Sequence, residues 1–193
     1  MRFALIIIGC IILSGCDHPG SFEFERQPKD TVRDAAGRKT VILAPTDGTD
    51  SMNVIRTGNT TPQQVVNFAQ TAIGVPYKYA SSDPQQGFDC SGFITYVFNH
   101  FGIAVPRTSV DFTDVQYQVP MEIARPGDLI LFTGTDTLTR TVGHMGIITS
   151  GFADSLQFIH ATSGHDMGVT VSALTAGYKK RFVKVVRVFP QNK

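Results

Sequence analysis

"GFDCSGFITYVFNHFG", residues 87–102, holds the only cysteine beyond the first sixteen residues of this 193-residue chain. Asp89 is a good helix cap, and Phe93, Ile94, Val97, Phe98 and Phe101 then recur at helical spacing until Gly102 supplies a stop. The stretch therefore predicts an amphipathic helix that begins at Asp89 or Cys90. Cys90 falls at its head, where unpaired backbone N–H groups favour negative charge. The expectation is a thiol that ionises more easily than a free cysteine. A buried structural cysteine is the commoner fate of a lone thiol; helix position and the histidines downstream argue for chemistry instead.

Working outward, Thr61-Pro62-Gln63-Gln64 fits a capping box with proline at the first helical position. Val65, Phe68, Ala69, Ala72 and Ile73 continue that helix to Gly74. Downstream the period changes to that of strands: "DLILFT" (128–133), "HMGIIT" (144–149), "QFIHA" (157–161), "GVTVS" (168–172) and "FVKVVRVF" (182–189). Helices first and a run of strands afterwards predict an α+β domain, 60–193, with the N-terminal helices packed on an antiparallel β-sheet. Residues 17–59 are polar and read as a tether, with "TVILAP" and "MNVIRTG" as short strand candidates.

Apolar residues make up 42% of the chain and charged ones 17%, the balance of a globular protein. Seventeen basic side chains face sixteen acidic ones; Arg2 is the only charge in residues 1–16, so the remainder is neutral. Nucleic-acid binding has no basic patch to support it. Cys10 and Cys16 lie in the N-terminal apolar stretch, which leaves no disulfide framework with Cys90. Residues 1–16, "MRFALIIIGCIILSGC", have signal-peptide length and are too short to span a bilayer. Their ending, "LSGC", resembles the lipobox of bacterial lipoproteins. That resemblance implies cleavage before Cys16, a lipid on its sulfur, and a membrane-anchored protein facing an extracytoplasmic space. Asp17 leaves the choice of inner or outer membrane open.

The histidines are His18, His100, His144, His160 and His165. His144 opens one predicted strand and His160 nears the end of the next. Adjacent antiparallel strands bring both to one face of the sheet, across which the Cys90 helix must pack. Cysteine, histidine and a polar orienter are the parts of nucleophilic acyl transfer. Spacing alone leaves open that both are strand residues with no joint role. His100, near a helix C-terminus, reads as structural, and His165 as a loop residue close enough to line a cleft. No CxxC or HxxxH spacing supports a metal site, and no cofactor is expected. The loop "TGTDTLTRTV" (133–142) leads into His144 and reads as a groove border or a plain connection.

"FDCSGF", "VPRTS", "RPGDLILF", "GHMGII" and "FIHATSG" occur here in the order seen in the NlpC-type cell-wall cysteine peptidases, a papain-like family. The resemblance covers roughly residues 61–190. It implies Cys90 as nucleophile, His144 as general base, and His160 in a third position that holds His, Asn or Gln in this family. It further implies Tyr77, in "YKYAS", as a hydroxyl assisting the oxyanion site, and Asp89 and Ser91 as substrate contacts. Ala80 and Ser81 stand where the family has paired glycines. The function implied is cleavage of peptidoglycan stem peptides, at a D-γ-glutamyl–diaminopimelate or a D-alanyl–diaminopimelate bond. An amidase or acyltransferase on the same Cys–His pair, or a non-catalytic wall-binding lipoprotein, are the competing readings. Residues 17–59 look too short for the SH3-like domain that some relatives carry.

Overall fold

The computed structural model describes residues 54–115, 117–136 and 138–192, together with the backbone of two short strands further upstream. The apolar stretch 1–16, Cys16 and most of the expected tether lie outside the described residues. The chain divides into two units, Met1–Asp50 and Ser51–Lys193. In the first, β1 (Thr31–Arg33) and β2 (Lys39–Val41) pair antiparallel with Thr31 opposite Val41. β2 overlaps the start of the "TVILAP" run; β1 carried no clear signal.

Of the strand expected around "MNVIRTG" (52–58), the described residues 54–58 form none. From Val54 the chain is irregular, and Ile55 is buried in the core. Helix α1 (Pro62–Gln70) starts as its capping box requires: Gln64 N–H donates to the Thr61 hydroxyl, and Thr61 N–H donates to Gln64 Oε1 at 2.8 Å. A small hairpin follows, β3 (Ser82–Asp83) with β4 (Gly87–Phe88), and then α2 (Cys90–Asn99). The remaining elements are β5 (Tyr117–Val119), β6 (Leu129–Thr133), β7 (Val142–Ser150), β8 (Gln157–Thr162), β9 (Gly168–Ala173), α3 (Ala176–Arg181) and β10 (Phe182–Arg187). Pattern reading missed the β3–β4 hairpin, β5 and α3, all too short for periodicity to register.

Strands β5 to β10 form one six-stranded antiparallel sheet in the order β5-β10-β6-β7-β8-β9. Because strand side chains alternate, the sheet has two unlike faces. Leu129, Leu131, Met145, Ile147, Ile159 and Ala161 join Phe93, Ile94, Val97 and Phe98 of α2 and Val65 and Val66 of α1 in the main core. Each buried Val, Leu, Ile, Met or Phe among them contributes about 1.5–3 kcal/mol. Ile130, Phe132, Ile148 and Phe158 build a second cluster on the other face, with Tyr178 of α3 packed against it.

Two fittings position the site. The segment before α2 is laced to the outer side of β9: Gly74 N–H donates to Val169 O, Val169 N–H to Val75 O, and Tyr77 N–H to Met167 O. The β6–β7 ladder slips by one residue just before His144. Phe132 pairs with His144 but Thr133 pairs with Val142, which leaves Gly143 as a bulge.

Candidate active site

Cys90 sits at the first position of α2, with Asp89 as N-cap. Asp89 Oδ1 accepts from Gly92 N–H at 2.6 Å and from the Ser91 hydroxyl at 3.1 Å. Helix α2 starts this close to the preceding loop because Gly92 has no side chain; a Cβ there would lie 2.0 Å from the Ser81 carbonyl. Arg107, from the "VPRTS" motif, closes the arrangement. Its guanidinium donates to both Asp89 oxygens, at 3.1 and 2.8 Å, and to the Ser91 hydroxyl at 3.0 Å. Burial alone would raise the Asp89 carboxyl's pKa, but the bonds from Arg107 and Gly92 outweigh it and hold the pKa below the usual value.

The thiol points at the bulge, with Sγ 4.0 Å from the Gly143 carbonyl oxygen. Its pKa departs from the expectation. Burial pushes it up and the Asp89 carboxylate pushes the same way, while the backbone N–H groups of Ser91, Met145 and Cys90 itself pull it down by less. The helix terminus acts in the predicted direction and is outweighed. Gly143 and Met145 flank His144, so the thiol meets strand β7 on both sides of that residue.

His144 Nε2 lies 2.8 Å from His160 Nδ1, and the two rings are edge to face. The register sets this up. Ile147 pairs with Ile159, so His160 falls two positions along from His144 on the same side of the sheet. Gly146, opposite His160, leaves the room: a Cβ there would approach the His160 Cβ to 3.1 Å and the Ile159 carbonyl to 2.8 Å. On its far side His160 Nε2 is 3.0 Å from Ser172 Oγ and 3.5 Å from the Tyr178 hydroxyl. Burial drives the His144 pKa down to about 3 and that of His160 to about 4, and the nearby Arg181 charge adds to both. Both imidazoles are neutral at pH 7.

Helix α2 does not pack across the histidines' face, as the sequence reading required. It covers the opposite face, while the histidine rings stand beside Phe132, Phe158 and Tyr178. Only the head of α2 reaches the β7 backbone where the bulge breaks the ladder. Strand parity explains the difference: Met145 and Ile147, which fill the main core, alternate with His144 and Gly146.

Tyr77, Tyr79, Asp89, Cys90, Arg107 and Gly143 line a groove of about 560 Å³. Burial raises the Tyr77 pKa, helped by the neighbouring Cys90 and Asp89 charges and opposed by a hydrogen bond from Ser163. Ala80, where the resemblance calls for glycine, still adopts the left-handed backbone, with φ of 58°. His165 pairs with Asp166 at the surface and His100 stacks on Phe68. Neither joins the groove. Among the described residues no three His, Cys, Asp or Glu side chains converge as a metal-binding group. Sequence reasoning gave no role to Arg107, Ser172 or Tyr178. Arg107 stood in a quoted motif, whereas Ser172 and Tyr178 emerge only once β8 is paired with β9 and α3 is known.

A sequence model of the NlpC/P60 family matches residues 74–187. Over 126 residues the chain is 36% identical to the gamma-DL-glutamyl hydrolase of Bacillus subtilis, covering 65% of this chain and 29% of that protein. It is 28% identical over 191 residues to the probable endopeptidase NlpC of Escherichia coli, covering 97% and 100%. It is also 32% identical over 121 residues to the murein DD-endopeptidase MepS/murein LD-carboxypeptidase of Escherichia coli, covering 62% and 58%. The chain thus spans less than a third of the Bacillus hydrolase and under two thirds of MepS. Among solved structures, an NlpC/P60 family protein from Bacillus cereus superposes with a TM-score of 0.61 at 27% identity, covering 69% of this chain and 42% of that one. With the matched residues running from the segment before α2 through β10, and with the sheet and helices of a solved relative, this chain belongs to the NlpC/P60 family.

Proposed function

We propose that this chain is a cysteine endopeptidase that cuts peptidoglycan stem peptides or their crosslinks. The observation that carries the reading is the thiol of Cys90 held against the backbone on either side of His144, whose ring is in turn held by His160. The names of the relatives, a gamma-DL-glutamyl hydrolase and murein endopeptidases, supply the substrate class.

In this mechanism the resting pair is neutral. Nε2 of His144 is engaged by His160, so Nδ1 takes the thiol proton as Sγ attacks the peptide carbonyl. The Cys90 backbone N–H and the Tyr77 hydroxyl stabilise the oxyanion. His144 then protonates the leaving amine, and a water that it activates hydrolyses the thioester. Asp89 and Ser91 contact the substrate through the groove edge they share with Arg107. The bond is D-γ-glutamyl–diaminopimelate or D-alanyl–diaminopimelate. A lipid on Cys16, after removal of the segment ahead of it, places the catalytic domain (60–193) on a tether in the periplasm.

The test uses purified chain with Cys16→Ser, with and without Cys90→Ala, on peptidoglycan sacculi, with products read by mass spectrometry. Fragments are expected from the Cys90 protein alone, with turnover at least about 10³-fold lower after substitution. Equal fragment yields from both folded proteins would overturn the proposal.

A further inference from the structure

We propose that Ser172 and Tyr178 are positioning residues that accept from His160 Nε2–H and so fix, through His160, which nitrogen His144 offers to the thiol. The inference rests on the assignment of His144 as base.

The argument follows the protons. His144, His160 and Ser172 lie on one diagonal across β7, β8 and β9: Nε2 to Nδ1 at 2.8 Å, then Nε2 to Oγ at 3.0 Å. A neutral imidazole carries one N–H. For Nδ1 of His144 to be bare and able to take a proton, its Nε2 must hold the ring's own proton and donate it to His160 Nδ1. His160 is then protonated at Nε2, and that N–H needs an acceptor. The surroundings offer few: His160 is 0% exposed, with the Phe158 ring centroid 4.8 Å away. Ser172 Oγ and, at 3.5 Å, the Tyr178 hydroxyl are its acceptors.

Both hydroxyls can accept and donate, so either one alone satisfies the chain in its productive direction. With both gone, a protonated Nε2 becomes an orphaned buried donor, a state the fold disfavours. The cheaper state moves the proton to His160 Nδ1. That nitrogen then donates to His144 Nε2 and leaves the His144 proton on Nδ1, the wrong tautomer for a base that works through that nitrogen. Tyr178 also gives the short helix α3 a role: it covers the histidines from the face that α2 does not touch.

The experiment is long-range ¹H–¹⁵N correlation of the imidazoles in the full chain, for the native sequence, Ser172→Ala, Tyr178→Phe, the double variant and Ser172→Thr. Each of the first two substitutions removes one oxygen, and thermal melts verify folding. The native chain is expected to show Nε2–H on both His144 and His160, with each single variant retaining it. The double variant shifts both to Nδ1–H, and Ser172→Thr restores Nε2–H when combined with Tyr178→Phe. In parallel, kcat on peptidoglycan should fall about 10- to 100-fold in the double variant with KM unchanged. Unchanged tautomers in a folded double variant would overturn the inference, as would Nδ1–H on His144 in the native chain. Because the spectra need no substrate, a chain that fails to cut peptidoglycan sinks the functional proposal and leaves this readout standing.

Discussion

The two walls of the site solve the same problem in opposite ways. On the α2 wall, Asp89 keeps its charge because Arg107, the Ser91 hydroxyl and Gly92 N–H surround it. On the strand wall the two histidines bond to each other and to hydroxyls; Asp166 acts on His160 through its charge alone, and burial outweighs it and holds both rings neutral. One wall compensates charge and the other suppresses it. The thiol lies between them and takes after the second, since burial and Asp89 together keep it protonated. Under the proposed mechanism a pair that rests neutral transfers its proton during attack, so the acidic limb of the pH–rate profile is expected well below the ordinary histidine value.

The largest expected effect breaks the strand wall by acidification. In the unfolded chain both histidines bind protons below about pH 6.5, whereas in the fold they stay neutral until about 3 and 4. Their contribution is complete above pH 6.5 and is lost as pH falls toward the folded values. Each adds a slope approaching about 1.4 kcal/mol per pH unit. Urea titrations at pH 7, 6 and 5 should show falling stability, and His160→Asn should reduce the slope. A flat series would contradict the neutral pair. Asp89, with its lowered pKa, contributes stability that is lost only below about pH 4, outside this window.

Breaking the other wall costs less. Arg107→Ala strips Asp89 of its counter-charge, but the arginine side chain is 41% exposed and water replaces part of what is lost. The expected destabilisation is about 1–2 kcal/mol by denaturant titration. It should be accompanied by a rise in the Asp89 pKa, visible by carboxyl NMR.

The smallest effect sharpens the comparison at the loop that leads into α2. Ala80 holds φ of 58°, a conformation that costs a residue with a Cβ about 1–2 kcal/mol. Ala80→Gly should raise stability by about 0.5–1 kcal/mol, after the extra chain entropy of glycine is subtracted. Thermal denaturation reads it directly, and a loss of stability would show that the left-handed backbone is not strained.

These walls differ also in how far the sequence exposes them. Local signals announce the α2 wall: a capping aspartate, an apolar helical stripe and the thiol at its head lie within sixteen consecutive residues. The strand wall depends on register. His144 and His160 are readable as strand residues, and their meeting follows from adjacent antiparallel strands. The face on which they meet does not, because Met145 and Ile147 compete with them for the same strand and win the helices. Ser172 and Tyr178 lie one pairing further away, on β9 and on a six-residue helix whose formation owes more to packing than to pattern. The direction of the Cys90 pKa escapes the sequence for a related reason. A helix terminus can be seen in one dimension, while the depth of burial opposing it cannot.

The bulge at Gly143 carries a last consequence. Strand pairing normally transmits any change in a connecting loop into the register of its strands, and a slip of one residue turns every side chain over. Here the extra residue sits between the 134–141 connection and His144, and below it the ladder is regular from Phe132–His144 through Leu129–Ile147. The slack is therefore taken up before the histidine. Descendants of this chain are free to lengthen or shorten that connection while the imidazole keeps its seat.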